Sequence, residues 1–491
     1  MAKAQIQRIT LGLKVRQFRQ EKAWNFDELS RRTGISTSYL NEIEKGKKYP
    51  QPANLRKLAA ALDVTPDFLT SPELTKQLAP LGELLQSNFL NELPLERFGI
   101  ELQQVVEIIA RAPDRVNAFI SALLEIARNY ALRDEHFFFS ALRAYQELRM
   151  NYFEEVENAA EEFVRTHHLP DNGGLAAQPL AELLVKNFAY RLESLDTEKY
   201  PELQTLRTVF VPKRRRLLLN PQLNDRQRAF YLAKELGFNV LQLRERPLCA
   251  GALRVHTFEE ALNNYLATYF SVAVLINRHA FVRDVGALFS QMTWNNQRLL
   301  HLIAKYQASP EVLFQRFNLL AQEFGLSKMF FVRVVHDLSR DQFEMDKELH
   351  LNRQHEPHAS GLNEHYCRRW IPLALLRELS AGDRPGGLLS AVQRARFMDT
   401  DQEYLCISIA KHGYPSPNRN VSVSIGVLLD EHAKRIIRFW NDPAISRTTV
   451  NVTCERCPIA DCRERAAEPE QYRKKEARRQ MLDTLRKLTS S

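Results

Sequence analysis

The sequence predicts a multidomain protein, mainly α-helical in its N-terminal half and α+β in its C-terminal half. Three observations carry that prediction. A chain of 491 residues is too long for one hydrophobic core, and a span of about 150 residues per domain gives about three units. Up to residue 165 apolar positions recur at helical spacing with little glycine, whereas from residue 330 onward β-rich runs alternate with turn-rich segments. Charged residues make up 26% and hydrophobic residues 44%, the values of a folded soluble chain. The most apolar window, 265–276, is shorter than the ~20 residues a bilayer needs, and the N-terminus lacks a signal-peptide core. A cytoplasmic protein with no membrane partner is the expectation.

Net charge is +9, and residues 1–70 hold 13 Lys/Arg against 7 Asp/Glu, so most of the excess sits in one seventh of the chain. That asymmetry points to phosphate, a well-solvated surface being the alternative that charge alone leaves open. Ile9 and Leu13, with Val15 and Phe18 in the neighbouring stripe, suit a first amphipathic helix. Asn25 caps a second, with Glu28 three residues on as in a capping box, Leu29 facing inward and Gly34 ending the segment. Ser36 or Thr37 caps a third helix through Tyr39, Leu40 and Ile43, which stops at Gly46 and Pro50. The run FDELSRRTGISTSYLNEIEKGKKYPQPANLRKLAAALDVTPDFL resembles the phage-repressor-like (XRE) helix-turn-helix family over nearly its whole length, including the Ile-Glu-x-Gly-x-x-x-Pro ending. The resemblance implies a five-helix DNA-binding domain over residues 1–70. In it Ser36, Thr37 and Ser38 open a recognition helix whose short hydroxyls, with Tyr39 and Asn41, reach base edges in the major groove, while Lys45, Lys47 and Lys48 sit against phosphates. The partner is double-stranded operator DNA. A helical bundle used for protein contacts is the competing reading.

Residues 71–165 read as a helical connector punctuated by Pro80, Pro94 and Pro113. Its stretch FFFSALRAYQELRMNYFEEVENAAEEFVRTHH carries Phe137, Phe138, Phe139, Tyr145, Tyr152 and Phe153 on an amphipathic surface. A homodimer seam is the preferred use of that surface, because repressor-type readers usually take two half-sites; packing within one chain is the alternative.

Residues 166–335 form a further module. LQTLRTVFVPKRRRLLLN alternates as a hairpin with its tip at 212–214, and Lys213 to Arg216 make a basic tip that is either solvated or able to hold a ligand's phosphates. In the next helix, DRQRAFYLAKELGFNVLQL, Lys234-Glu235-Leu236-Gly237-Phe238 occupies the place where a zinc peptidase would show His-Glu-x-x-His. Two histidines four apart would supply metal ligands and the glutamate would activate water, but a protonated lysine coordinates zinc poorly and a phenylalanine not at all. Downstream, ATYFSVAVLIN resembles a helix of the IrrE-like peptidase family, with Asn264 and Leu266 at the carboxylate positions and Glu259 and Glu260 as the nearest acids. A degenerate zincin-like module with no catalytic residue follows. YQASPEVLFQRFNLLAQEF supports the same family, Ser309-Pro310 opening a helix with Phe314, Phe317 and Leu320 on one face, and FFVRVV at 330–335 leads onward as a strand.

Residues 336–470 are rich in strands, YLCISIAKH and RNVSVSIGVLLD flanking the turn GYPSPN, with Val421, Val423 and Ile425 on one buried face. This suits a GAF/PAS-like α/β sensor, a fold that encloses small molecules without naming one. His350, His355, His358, His365, Cys367 and His412 are scattered and carry no individual assignment. Cys454, Cys457 and Cys462 differ, since C-x2-C-x4-C brings three thiolates within reach of one ion or cluster. Zinc would be structural, an iron–sulfur cluster could also report redox state, and three reduced cysteines closing a turn remain the alternative. Cys367 and Cys406 are the candidates for a fourth ligand. The tail, 471–491, is a basic helix, either solvated or touching DNA or membrane.

The whole architecture, ending in CxRCPxxDCxxR, resembles the short-chain fatty acyl transcriptional regulator family over nearly its full length. The resemblance implies a DNA-binding regulator of metabolic genes that responds to a small-molecule effector, an acyl-CoA or related metabolite. A regulatory peptidase-like stress or defence regulator is the alternative, against which Lys234 and Phe238 speak.

Overall fold

The computed structural model describes residues 2–71, 97, 99, 134–171, 173–250, 255–350, 364–382, 387–398, 400–413 and 418–489. The chain divides into two compact units, Met1–Leu142 with Val255–Glu259, and Arg143–Arg254 with Glu260–Ser491. The connector expected over residues 71–165 falls largely outside the described residues.

The N-terminal unit begins with five helices: α1 (Ala2–Glu21), α2 (Phe26–Thr33), α3 (Thr37–Glu44), α4 (Pro52–Leu62) and α5 (Pro66–Thr70). Their ends obey local chemistry. Asn25 accepts the Glu28 N–H at 2.8 Å and starts α2, and Gly34, at φ +66°, lets the chain turn out of it. The capping box is only half made, because the Glu28 carboxylate turns to Arg32 (2.7 Å) and Arg31. Ser36, not Thr37, caps α3 by accepting the Tyr39 N–H at 3.3 Å. Leu11, Val15, Leu29, Leu40, Ile43 and Leu58 close a common core. In α1, Gly12 permits the closest approach: a Cβ there would stand 2.3 Å from the Ile43 carbonyl oxygen.

The expected continuous amphipathic stretch is two helices, α6 (Asp134–Leu148), whose residues up to Leu142 belong to the first unit, and α7 (Glu154–Thr166) of the second, parted where Met150 and Asn151 take left-handed φ of 48° and 52°. Tyr145 and Phe153 are buried within the chain: Phe153 meets Tyr265 and Tyr269 with ring centroids 5.8 and 5.5 Å apart. These rings therefore do not form the expected dimer seam. They fill the chain's own core, because the left-handed break swings Phe153 inward. The Phe137 side chain lies outside the described residues.

After α8 (Ala177–Phe188) come β1 (Arg191–Ser194), β2 (Thr208–Val211), β3 (Arg216–Leu219), α9 (Asp225–Val240) and β4 (Cys249–Ala250). The sheet order is β1-β3-β2-β4, and β2 and β3 form the expected hairpin, turned at Pro212–Arg214 with Arg215 at φ +47°. At that tip Arg215 donates to the Phe188 carbonyl (2.8 Å) and Arg216 pairs with Glu193 (2.5 Å). Helices α10 (Phe258–Leu275), α11 (Arg278–Phe289), α12 (Asn296–Lys305), α13 (Pro310–Arg316) and α14 (Leu319–Phe324) follow. Ser309 caps α13 as expected.

The remainder is built on β5 (Met329–Asp337), β6 (Gln342–His350), α15 (Ile371–Ala381), β7 (Leu389–Phe397), β8 (Glu403–His412), β9 (Arg419–Leu428), α16 (Glu431–Ile436), β10 (Ser446–Val450) and α17 (Glu470–Thr489). The sheet runs β10-β7-β8-β9-β5-β6, antiparallel except for β10 beside β7. A boundary at 335/336 thus cuts through β5, an interior strand of the C-terminal sheet. Strand β9 is buried on both faces, not one: α15 covers one side, where Ser422 and Ser424 are small enough to fit beneath it, and α13 packs on the other. No helix among the described residues is long and apolar enough to cross a membrane.

Candidate functional site

The α2–turn–α3 unit presents the side chains that the sequence singles out. Ser36 and Ser38 are exposed at the start of α3, while Thr37, Tyr39 and Asn41 are half-buried along it. Lys45, Lys47 and Lys48 are exposed where the helix ends. Lys48 is engaged by Glu42 at 2.9 Å, a bond that raises its pKa and leaves less of its charge for an external phosphate. Two further residues, not anticipated as parts of the reader, fix α3. Arg19 of α1 grips Glu44 with both arms (2.6 and 2.9 Å), donates to the Trp24 carbonyl (2.7 Å) and stacks over Phe26. Glu44 is buried, and its bond to Arg19 raises the guanidinium pKa. The Ile43-Glu44 motif is therefore the seat of the recognition helix. Lys14 is likewise internal, donating to the Phe68 and Ser71 carbonyls at 2.6 and 2.8 Å. Two of the cations counted toward the basic excess thus support the fold.

In α9 the peptidase-like position is a closed ion pair. Glu235 is buried, and its carboxylate receives both arms of Arg246, one at 2.7 Å, together with the Tyr190 hydroxyl at 2.7 Å. Burial pushes the Tyr190 hydroxyl up to about 12. The Arg246 guanidinium lies over Phe238, 3.8 Å from the ring centroid, and over Phe210. Lys234 donates to the Asn264 amide oxygen at 2.7 Å. Burial, then the charges of Lys347 and Arg246, lower its ammonium from 10.5 to about 7.

Toward the C-terminus, Tyr366 pairs with Thr453, and the Cys454 N–H reaches the His365 carbonyl at 2.8 Å, so Cys367 is carried beside the cysteine loop. Charge at Cys454 and Cys457 is felt at Cys367, and charge at Cys462 and Cys454 at Cys457; burial is the main reason that both the Cys367 and Cys457 thiols are raised. Arg465 ties the loop by donating to the Cys454, Ala467 and Cys457 carbonyls, at 3.1 to 3.4 Å, and the Ala466 N–H points at the Cys454 sulfur (3.3 Å). Every cysteine is free of disulfides. Of the two fourth-ligand candidates, Cys367 stands with the loop. Cys406 sits in the sheet core, where burial alone pushes it to about 12. Among the described residues no three His, Cys, Asp or Glu side chains stand close enough to hold a metal ion. His365 is spent on Glu455 (2.8 Å) and His412 on Asn420 (3.0 Å); His355, His358 and the His350 side chain lie outside the described residues. Under α15 a cavity of about 10 Å³, walled by Phe330, Trp370, Phe397 and Cys406, has room for one water.

Residues 15–69 match the Helix-turn-helix family and residues 188–334 the IrrE N-terminal-like domain. The HTH-type transcriptional regulator RamB of Mycobacterium tuberculosis is 24% identical over 485 residues, which span 93% of this chain and 94% of RamB. An uncharacterized HTH-type transcriptional regulator of Bacillus subtilis, YazB, is 36% identical over 62 residues, 13% of this chain and 90% of YazB. A solved Mycobacterium tuberculosis transcriptional regulator superimposes with a TM-score of 0.46 at 19% identity, over 67% of this chain and 93% of its own.

Proposed function

Because the chain belongs to the helix-turn-helix transcription regulators that carry an IrrE N-terminal-like domain, an architecture consistent with the short-chain fatty acyl family, we propose that it reads operator DNA through α3 as a homodimer and controls metabolic genes. The carrying observation is the pairing of an accessible helix start, Ser36 and Ser38, with exposed lysines at the helix end, on a helix locked in place by Arg19 and Glu44. Short hydroxyls and the Asn41 amide suit base edges, and Lys45, Lys47 and Lys48 suit the phosphate backbone. Fluorescence anisotropy on a duplex selected from a randomised library tests the reading. Asn41→Ala costs about 1–3 kcal/mol at its own base pair, and Lys47→Ala weakens all sequences alike and flattens the salt dependence by about one unit. No binding at low salt, or binding unchanged when Asn41→Ala and Lys47→Ala are combined, overturns it.

The peptidase-like module serves in this reading as a non-catalytic scaffold. Phe238 offers zinc no donor atom, Lys234 is engaged by the Asn264 amide oxygen in place of a histidine, and Glu235 has its carboxylate committed to Arg246. The regulatory input is a short-chain acyl-CoA or related metabolite, a metal centre, or both, which shifts the chain between conformations of different DNA affinity. The donor chemistry at Cys454, Cys457 and Cys462, with Cys367 as fourth, fits a thiolate-bound zinc ion or iron–sulfur cluster: all four are free and three are buried. Those four cysteines would hold the group, to which zinc would bring a structural cross-link and an iron–sulfur cluster redox chemistry. A six-stranded sheet with α15 on one face supports the GAF/PAS-like reading.

A further inference from the structure

Helix α17 starts on the cysteine loop, where the Tyr472 N–H reaches the Glu455 carbonyl at 3.0 Å, and from Ala477 onward every one of its residues is exposed. A polar helix would suit that exposure. Instead Met481, Leu482, Leu485 and Leu488 stand 56%, 44%, 48% and 68% exposed. At the angular step of an α-helix these four side chains span an arc of about 120° over the last two turns.

Charge is sorted around that arc. The helix holds seven Lys and Arg against three Asp and Glu. Lys475 and Arg486 border the arc on one side, and Arg473 and Lys487 border it on the other. Glu476 and Asp483, seven residues apart, lie on the opposite face, where Glu476 holds Arg479 at 2.7 Å. The third acid, Glu470, is at the anchored start of the helix.

This three-zone arrangement selects its occupant. A second copy of α17 would set cations against cations along both borders. A partner helix would use a seam narrower than the arc and leave Leu482 in water. A DNA duplex would attract the cations and have no use for four apolar side chains. A flat anionic lipid surface uses every zone: the apolar side chains enter below the headgroups, the bordering Lys and Arg meet lipid phosphates, and the carboxylates stay in water.

We infer that α17 docks the chain on the surface of an anionic lipid bilayer, lying in the plane of the interface with Met481, Leu482, Leu485 and Leu488 inserted. Lying there needs no spanning segment, so the contact is peripheral, where the sequence led to the expectation of no membrane partner. The docking depends on nothing in the DNA reader, and a failure of operator binding leaves it standing.

Flotation of the full chain with lipid vesicles tests the assignment, comparing phosphatidylcholine alone with phosphatidylcholine containing about one third phosphatidylglycerol. The chain floats with the anionic mixture and not with the neutral lipid. Met481→Gln combined with Leu485→Gln keeps the net charge of +9 and cuts binding to the mixture at least about tenfold, whereas adsorption through the basic reader would ignore that pair. Lys475→Gln combined with Lys487→Gln also weakens binding about tenfold, by a factor that shrinks as salt rises. Both double variants melt with the wild type, because none of the four residues is buried. Three outcomes overturn the assignment: no flotation with the anionic mixture, which would leave the arc to a protein helix; the Met481/Leu485 variant floating as the wild type does; or a changed subunit number in that variant, which would mean that the arc joins copies of the chain.

Discussion

Lys234 shows how one side chain records what a helix face has become. Its folded pKa of about 7 lies below the 10.5 of a free lysine, so between those values the unfolded chain binds the extra proton and the native chain does not. Stability therefore rises with pH across that window, and the full penalty for the charge is felt below it. Lys234→Met removes the penalty: its melting temperature exceeds that of the wild type most below about pH 7, and the gap shrinks toward about pH 10. Melting curves over that range check this, and a gap that does not change with pH contradicts it. Single residues were legible in the sequence where their chemistry is local. Asn25, Gly34 and Ser36 act within a turn of themselves, and each does what its type and position dictate. Arg19 and Arg246 gave no such signal, because their partners Glu44 and Glu235 are joined to them only by the tertiary fold.

Among the elements, α7 and α13 are joined by the most deeply buried ion pair of the second unit's described residues. Glu157 and Arg316 are each 1% exposed in their side chains, with one contact at 2.9 Å, and Tyr269 adds its hydroxyl to the carboxylate at 2.7 Å. The neighbouring guanidinium holds Glu157 below the usual carboxylate range in spite of its burial. Glu157→Ala strands Arg316 without a counter-charge and costs about 3–5 kcal/mol, measurable as a lower urea midpoint. A loss under about 1 kcal/mol would mean that water relieves the arginine. Periodicity gave the helices and the β2–β3 hairpin, but it read α6 and α7 as one element. The left-handed pair Met150 and Asn151 holds neither glycine nor proline, and Asn151, a type that tolerates the left-handed region, was the one weak mark of the break. The same limit applies to β9, whose alternating valines marked one buried face while the serines between them, equally buried, read as solvent-facing.

At the scale of the molecule, order along the chain was legible and contact across it was not. The reader, the peptidase-like module and the strand-rich end follow one another as their motifs indicate, yet Cys367 reaches the cysteine loop from 87 residues before Cys454 by way of the Tyr366–Thr453 bridge. Spacing alone could not choose it over Cys406. Native mass spectrometry of anaerobically purified chain tests assembly and contents together. A dimer with bound metal is expected, with the metal lost in Cys457→Ser and Cys367→Ser but kept in Cys406→Ser. A bare monomer, or metal retained in all three variants, rejects that assignment.

The Arg246–Glu235 pair also bears on whether the module could be made into a hydrolase. Replacing Lys234 and Phe238 by histidine would supply two imidazoles at the right helical spacing, but the general base would still be neutralised by a guanidinium that uses both of its arms. Those two substitutions would make a chelating helix and no proteolysis. A third, at Arg246, would have to come with them, and because that residue stacks on Phe238 and Phe210, releasing the carboxylate would also unpack the wall around it.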